Sequence, residues 1–370
     1  MIDIAPTDER CGLPSASSME RIALCPGSLR ASKGLVEIKT PEMAEMGRAG
    51  DRGHLWLECP GFIDLAPEEL ELAEEILAER NALLAEHGFA GKEQAEQRLW
   101  FTNAEGEKQC SARLDYSNID GKRAFICEYK TGYGDQTESA RNLQLRTQAV
   151  ILDWNQPSGY KFTEVLVAVI QPRVSRKPEV ASYTAKDILK ARGQLRRYLE
   201  AAKAPDAPRI PGKKQCQFCP AKLGCPENQR VMNSLNLEEL IGITAEALSN
   251  LLDRCDVAQQ VIDGARSQAR ALLAENSDAI PNWRLGEPGS VRHVPDAAKL
   301  YEALFRSGLI DQPAFIAACK VGITDLSKGI HAYRKTIEKM THDEIKEALT
   351  GFPDLIISKP KAAPLERITT

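Results

Sequence analysis

The stretch between residues 96 and 183 constrains the fold of this chain most, because its periodicity changes repeatedly. Residues 96–101, 109–116 and 123–130 read as strands, with Asp120-Gly121 as the turn between the last two. Residues 138–154 return to a helical period. Residues 160–170 end in Val165-Leu166-Val167-Ala168-Val169-Ile170, which reads as a buried strand. A strand near 180–183 and a basic helix over 184–204 follow, and Pro205, Pro208 and Pro211 then break the chain.

Upstream, Ser17 and Ser18 suit the cap of a short helix ending near Pro26-Gly27. Pro41 opens a helix to Glu58 that places Met43, Met46, Gly50, Gly53 and Leu57 along one side. Another follows Pro67 with Leu70, Ala73, Leu77 and Leu84 on its apolar face. Beyond residue 236 the pattern turns helical, with helices expected at 237–252 and 254–276, a hairpin over 283–293, three further short helices and a tail of about a dozen residues.

A length of 370 residues suggests two to three domains, and 43% hydrophobic with 27% charged residues excludes a disordered or fibrous chain. No apolar run approaches the roughly 18 residues of a membrane span. The first ten residues carry neither a basic leader nor an apolar stretch, so a cytoplasmic location is expected. The ten cysteines are then expected as thiols, and unusual spacing among them points to a metal. The net charge of −4 conceals an asymmetry. Residues 1–140 carry 15 basic and 26 acidic side chains (−11), residues 141–236 carry 17 and 7 (+10), and residues 237–370 carry 16 and 19 (−3). A basic middle suits a polyanion, although a charge run alone also fits a solvated helix face.

Chemistry concentrates in Ala112-Arg113-Leu114-Asp115 and, thirteen residues on, Glu128-Tyr129-Lys130. On adjacent strands the two carboxylates can meet at one end of a sheet and form a hard-oxygen site for Mg2+ or Mn2+. The strand period of two sends Glu128 and Lys130 to one face, where a lysine can orient or deprotonate a water. The pattern resembles the PD-(D/E)XK nuclease superfamily, in particular its RecB-like exonuclease branch. Gly50-Asp51-Arg52-Gly53-His54 resembles the helix whose histidine joins the metal site there, and Gln144 the glutamine lining it. Ala112 stands where that family usually has glycine and Gln148 where it has tyrosine.

The cysteines extend the likeness. Cys216-x-x-Cys219-x5-Cys225 supplies three ligands of a four-ligand site, and Cys25 in Cys25-Pro26-Gly27-Ser28 is the best fourth. This resembles the AddB-type and CRISPR-associated nucleases, which implies a [4Fe-4S] cluster; a four-cysteine Zn2+ site is the rival on ligand grounds. The other six cysteines (11, 59, 110, 127, 255 and 319) are expected as buried thiols.

The resemblance covers residues 15–230 or so. It implies an α/β (α+β), restriction-endonuclease-like core: a mixed sheet flanked by helices, closed by a four-cysteine cluster, over residues 1–236. Residues 237–370 would form an accessory, mainly helical region. It further implies a Mg2+- or Mn2+-dependent DNA exonuclease, rather than an endonuclease, acting on single-stranded DNA or DNA ends in recombination, repair or processing, of a stand-alone phage or prophage type. Asp115, Glu128, Lys130 and Gln144 would be catalytic, with His54, Asp115, Glu128 and the Tyr129 carbonyl at the metal. With such a site beside it, the basic block reads as a DNA groove through Arg173, Arg176, Lys177, Lys190, Arg196 and Arg197, and Trp154, Tyr160 and Phe218 offer stacking surfaces. Recombination or replication proteins and a second copy of the chain are further candidate partners, and no membrane is. Two other classes fit the same residues: a non-catalytic DNA-binding adaptor that keeps the fold, and a zinc-stapled interaction protein.

Overall fold

The computed structural model describes residues 10–36, 39–132, 134, 136–235, 244–286, 297–306 and 311–318, without the side chains of 175–177, 314, 317 and 318. They form two compact units, Met1–Gly286 and Glu287–Thr370.

The first unit opens with a 3-10 turn Ala16–Ser18 and short helices α1 (Met19–Leu24) and α2 (Ser28–Ala31). Thr40 caps α3 (Pro41–Glu58) by accepting the Met43 amide hydrogen at 3.3 Å, with Pro41 preset for the first turn. Helix α4 (Pro67–Glu86) follows, then strands β1 (Lys92–Thr102), β2 (Lys108–Asp120) and β3 (Arg123–Tyr129). Gly121, at φ +53°, makes the β2–β3 turn that side chains disfavour. Helix α5 (Leu143–Trp154) starts later than its periodicity suggests, because the Asn142 side chain accepts from the Gln144 and Leu145 amides and sets the cap there. Strands β4 (Glu164–Gln171) and β5 (Ser175–Thr184) lead into α6 (Ala185–Lys203), whose Thr184 and Asp187 form a capping box. Helices α7 (Lys213–Gln217), α8 (Pro226–Asn233) and α9 (Ala245–Glu275) complete the described part of the unit, with α9 packed on α7 and α8.

The strands form one mixed sheet in the order β1-β2-β3-β4-β5, antiparallel except for the parallel β3–β4 pair. Its faces read off the period of two in β3: Ala124 and Ile126 join a core with α1, α5 and α6, whereas Phe125, Cys127 and Tyr129 join one with α3 and α4. This is the expected α/β sheet with helices on both faces. Met43 and Met46 remain exposed, because the packed part of α3 lies further along, at Gly53, Trp56 and Leu57. The two helices expected after residue 236 are a single helix over Ala245–Glu275, since no proline interrupts it; residues 237–243 lie outside the described residues. Most of the expected 283–293 hairpin and the whole tail also lie outside them.

The second unit contributes α10 (Ala297–Arg306) and α11 (Gln312–Ala318), joined by the Tyr301 ring against Phe305 and Phe315. No described helix is long and apolar enough to cross a membrane.

Gly91 sits against the β2 backbone just before β1: a Cβ there would lie 1.9 Å from the Ile119 carbonyl oxygen. Gly91→Ala is expected to cost about 1–3 kcal/mol of unfolding free energy, read by urea denaturation. An unchanged midpoint would contradict this packing.

Candidate metal centre

Two glycines of α3 bring the helix to the segment that follows β3. A Cβ on Gly50 would lie 3.2 Å from Thr131 Oγ1, and one on Gly53 would lie 3.8 Å from Thr131 Cγ2. One residue beyond Gly53, His54 faces β1 and β2, with Nδ1 2.8 Å from Glu96 Oε1 and 3.7 Å from Asp115 Oδ1. Ligand atoms of His54, Glu96 and Asp115 all lie within 4.8 Å of one another, the one such group among the described residues. Glu96 lies opposite Asp115, between the pairs Ala95↔Tyr116 and Gln97↔Leu114, and is held at φ +50°. That conformation is uncommon for a residue with a side chain. Arg113 Nε grips its other oxygen at 2.5 Å. Asp115 is fixed independently: Oδ2 accepts the Tyr129 amide hydrogen at 2.8 Å.

Glu128 is nearby in a cage of its own. Oε1 accepts from Lys130 Nζ at 2.5 Å and from Gln144 Nε2. Oε2 accepts from Gln148 Nε2 at 2.7 Å, and the same amide reaches the Arg113 carbonyl at 3.3 Å. Glu128 and Gln148 are buried, whereas Lys130 and Gln144 are partly exposed. Tyr129, between Glu128 and Lys130, turns its ring the other way, 5.9 Å from His54, and its hydroxyl accepts from Arg80.

Burial and then the Glu128 charge push the Asp115 carboxyl up to about 7, against the opposing pull of His54, the Tyr129 amide and Lys130. Burial alone would lower His54, but the Glu96 hydrogen bond and the charges of Asp115, Glu96 and Glu128 raise it above its ordinary value. Lys130 follows the same pattern: burial opposes its charge, Glu128 and Asp115 outweigh it, and it stays an ammonium. Clustered carboxylates balanced by an imidazolium and an ammonium suit a hard divalent cation, which would displace the imidazole proton.

The structure therefore brings His54, Asp115, Glu128, Lys130 and Gln144 to one end of the sheet, with Tyr129 among them. Glu96 and Arg113 were not singled out by their sequence context. Gln148, read as a departure from a family pattern, is a direct partner of Glu128.

Cys25, Cys216, Cys219 and Cys225 line one small cavity, with Ser28 and Asn228 among its other walls. All four are free thiols, and burial raises Cys25 and Cys216 above the ordinary thiol value. Among the remaining cysteines, Cys110 and Cys127 are buried as expected. Cys11, Cys59 and Cys255 are instead exposed, lying in a turn, at the end of α3 and on the outer side of α9; Cys319 lies outside the described residues.

In the basic segment, Arg173, Lys190, Arg196 and Arg197 are exposed, and the side chains of Arg176 and Lys177 lie outside the description. Arg196 sits over the rings of Trp154 and Phe101. Trp154 ends α5 and Gln144 lies in its first turn, so Arg196 is about 15 Å along the helix from the carboxylates. Lys190 lies nearer that first turn, lining a cavity between α5 and α6 with Arg146, Tyr183 and Asp187. Trp154 and Tyr160 pack against the core, whereas Phe218 is 66% exposed.

A family profile described as "Protein of unknown function (DUF2800)" matches residues 72–363. No curated protein matches the chain. Several solved structures overlap it, three of which follow. The SSO0001 protein is 15% identical, over 58% of this chain and 86% of that one, with a TM-score of 0.28. A protein of Eubacterium rectale provisionally named an exonuclease is 13% identical, over 65% and 97%, at 0.36. The alkaline exonuclease of Laribacter hongkongensis is 11% identical, over 52% and 93%, at 0.20.

The site predicts opposite pH dependences with and without metal. The stabilising contribution of cationic His54 is complete below its ordinary value of about 6.5 and lost as pH rises through its raised folded value. Asp115 adds a penalty that begins above its ordinary value of about 4 and grows until its folded value of about 7. In EDTA, Tm should therefore fall as pH rises from about 5 to 8, whereas the stabilisation added by Mn2+ should grow over the same range. A metal-free Tm that climbs with pH would contradict the charge balance described.

Proposed function

We propose that this chain, which belongs to the DUF2800 family of proteins of unknown function, is a divalent-metal-dependent nuclease that hydrolyses DNA phosphodiester bonds. The observation that carries this reading is the convergence of His54, Glu96 and Asp115 within 4.8 Å, beside the Glu128–Lys130 pair. The donor set of one imidazole and hard carboxylate oxygens fits Mg2+ or Mn2+. His54, Glu96, Asp115 and Glu128 would hold the ion, and the Tyr129 carbonyl is assigned to it by the family resemblance. Bound there, the ion would supply Lewis acidity and a water acidified for attack.

The chain's own residues set the rest. Lys130, kept cationic by Glu128, orients the water and offsets charge developing on the phosphate. Gln144 and Gln148 hold Glu128 from opposite oxygens, so its carboxylate does not swing between partners. Arg113 holds Glu96 from the solvent side. The basic residues from Arg173 to Arg197 supply backbone contacts to DNA. Exonucleolytic action on single strands or ends, a cytoplasmic setting in recombination, repair or processing, and partner proteins from those processes rest on the resemblance. All residues given a role lie within 1–236, and the remainder is assigned an accessory one.

The same proposal assigns a [4Fe-4S] cluster to Cys25, Cys216, Cys219 and Cys225. All four line one cavity.

The test is digestion of 5′- and 3′-labelled single- and double-stranded DNA by the full chain with Mg2+, Mn2+ or EDTA. Metal-dependent cleavage is expected, lowered about 10²–10³-fold by Lys130→Ala and about 10–100-fold by Gln148→Ala. Full cleavage by Asp115→Asn would remove the assignment. DNA binding without cleavage by the wild type would favour the adaptor reading instead.

A further inference from the structure

We propose that the Ser28 hydroxyl is a hydrogen-bond donor to a sulfur of the iron–sulfur group held by Cys25, Cys216, Cys219 and Cys225, and so a positioning residue that helps set its reduction potential. This rests on the cluster reading above and adds to it a residue that is not a ligand.

Ser28 is 2% exposed, and its Oγ is buried with no hydrogen-bond partner. A buried hydroxyl left unpaired is costly, because it gives up its bonds to water for nothing. Such a group calls for a partner outside the protein atoms, and Ser28 lines the same cavity as the four cysteines. Its position is imposed by the backbone. The Gly27 amide donates to the Pro208 carbonyl at 2.8 Å, and the Ser28 amide to the Cys25 carbonyl at 2.9 Å. A Cβ on Gly27 would lie 2.5 Å from the Ala207 carbonyl oxygen and 2.9 Å from that of Pro208, so the turn is clamped against the 207–210 segment.

Three other groups beside the cysteines already have partners. The Ile210 amide donates to Cys25 Sγ at 3.2 Å. Ser32 Oγ accepts from Arg21 Nη1 at 2.7 Å, which leaves its proton for Cys219 Sγ at 3.8 Å. Asn228 Oδ1 accepts from the Cys216 thiol at 3.5 Å, a bond that disappears when the thiol becomes a ligand. The Ser28 hydroxyl, by contrast, is buried with no such partner. Thiolates and inorganic sulfides are both acceptors, and hydrogen bonds to them stabilise the reduced, more negative state and raise the potential.

The experiment reconstitutes the full chain anaerobically with ferrous iron and sulfide, and compares wild type, Ser28→Ala, Ser28→Thr and Ser28→Val. Iron and acid-labile sulfide content, visible absorption and midpoint potential are measured. Cluster content is expected to be retained in all four. The potential should shift downward in Ser28→Ala and Ser28→Val and stay near wild type in Ser28→Thr. Resonance Raman iron–sulfur bands of wild type should move in D2O, and this movement should diminish in the alanine variant. If alanine prevents folding, the near-isosteric threonine and valine pair decides between a hydroxyl and a packing role. Equal potentials in that pair, with cluster intact, would overturn the Ser28 assignment alone. A wild type that incorporates zinc but no iron and sulfide would overturn the cluster reading and this assignment together.

Discussion

The hydrogen bond from the Tyr129 amide to Asp115 Oδ2 ties the sheet to the site. Tyr116↔Cys127 is the last pair of the β2–β3 ladder, and beyond it the Asp115 carboxylate takes the place of a backbone acceptor. The same point is where β2 changes face. Leu114 packs in the layer with α5, whereas Tyr116, two residues on, packs in the layer with α4. An unbroken strand would keep both on one side. Across the pair, Glu96 takes its positive φ at the same level. The acids opposite one another at this reversal leave neither core and converge on His54.

That arrangement buries negative charge, and the surrounding groups sort by how they answer it. His54 and Lys130 answer from their own elements, and the negative charge raises the proton affinity of both. Gln144 and Gln148 answer with neutral donors spaced one helical turn apart on α5, a separation that places both amides over Glu128. Because a glutamine keeps its hydrogen-bonding character as pH changes, Glu128 stays oriented while its neighbours titrate. Asp115 is met by a backbone amide and the shared cations, and burial with the Glu128 charge outweighs them and raises its carboxyl.

How much of this was legible depended on whether the signal was local. Helix α3 was readable to both ends from Pro41 and its apolar spacing, and the Glu128–Lys130 contact followed from strand period alone. Glu96 was not readable in this way. The β1–β2 register shifts between Phe101 and Thr102, so counting back from the turn would set Ala95 opposite Asp115. The single irregularity exchanges an alanine for a carboxylate opposite Asp115, and no sequence pattern in β1 marks it. Gln148 was visible but misweighted, since a tyrosine expectation directs attention to the substrate side, whereas this shorter amide is buried on Glu128. The exposed cysteines follow from their places at a turn, a helix end and an outer helix face, which composition does not register.

The cysteine cavity and the carboxylates are far apart in sequence but share a support. The turn bearing Cys25 closes α1, and Met19 and Ile22 of α1 are fully buried in the core with Leu145, Ala149 and Leu152 of α5. Ahead of it, the Pro14 carbonyl accepts the Ser111 amide at 3.0 Å and Ser15 bridges Ser111, which lies on β2 four residues before Asp115. Glu20 reaches both Lys214, beside Cys216, and Thr137, in the segment between Lys130 and α5. A group joining Cys25 to Cys216, Cys219 and Cys225 would therefore brace α1 against α7, and through α1 the helix that holds Gln144 and Gln148. Such a brace would affect the geometry around Glu128 without an electron or a proton passing between the two sites, which is the role the proposed hydrolysis would leave open to it.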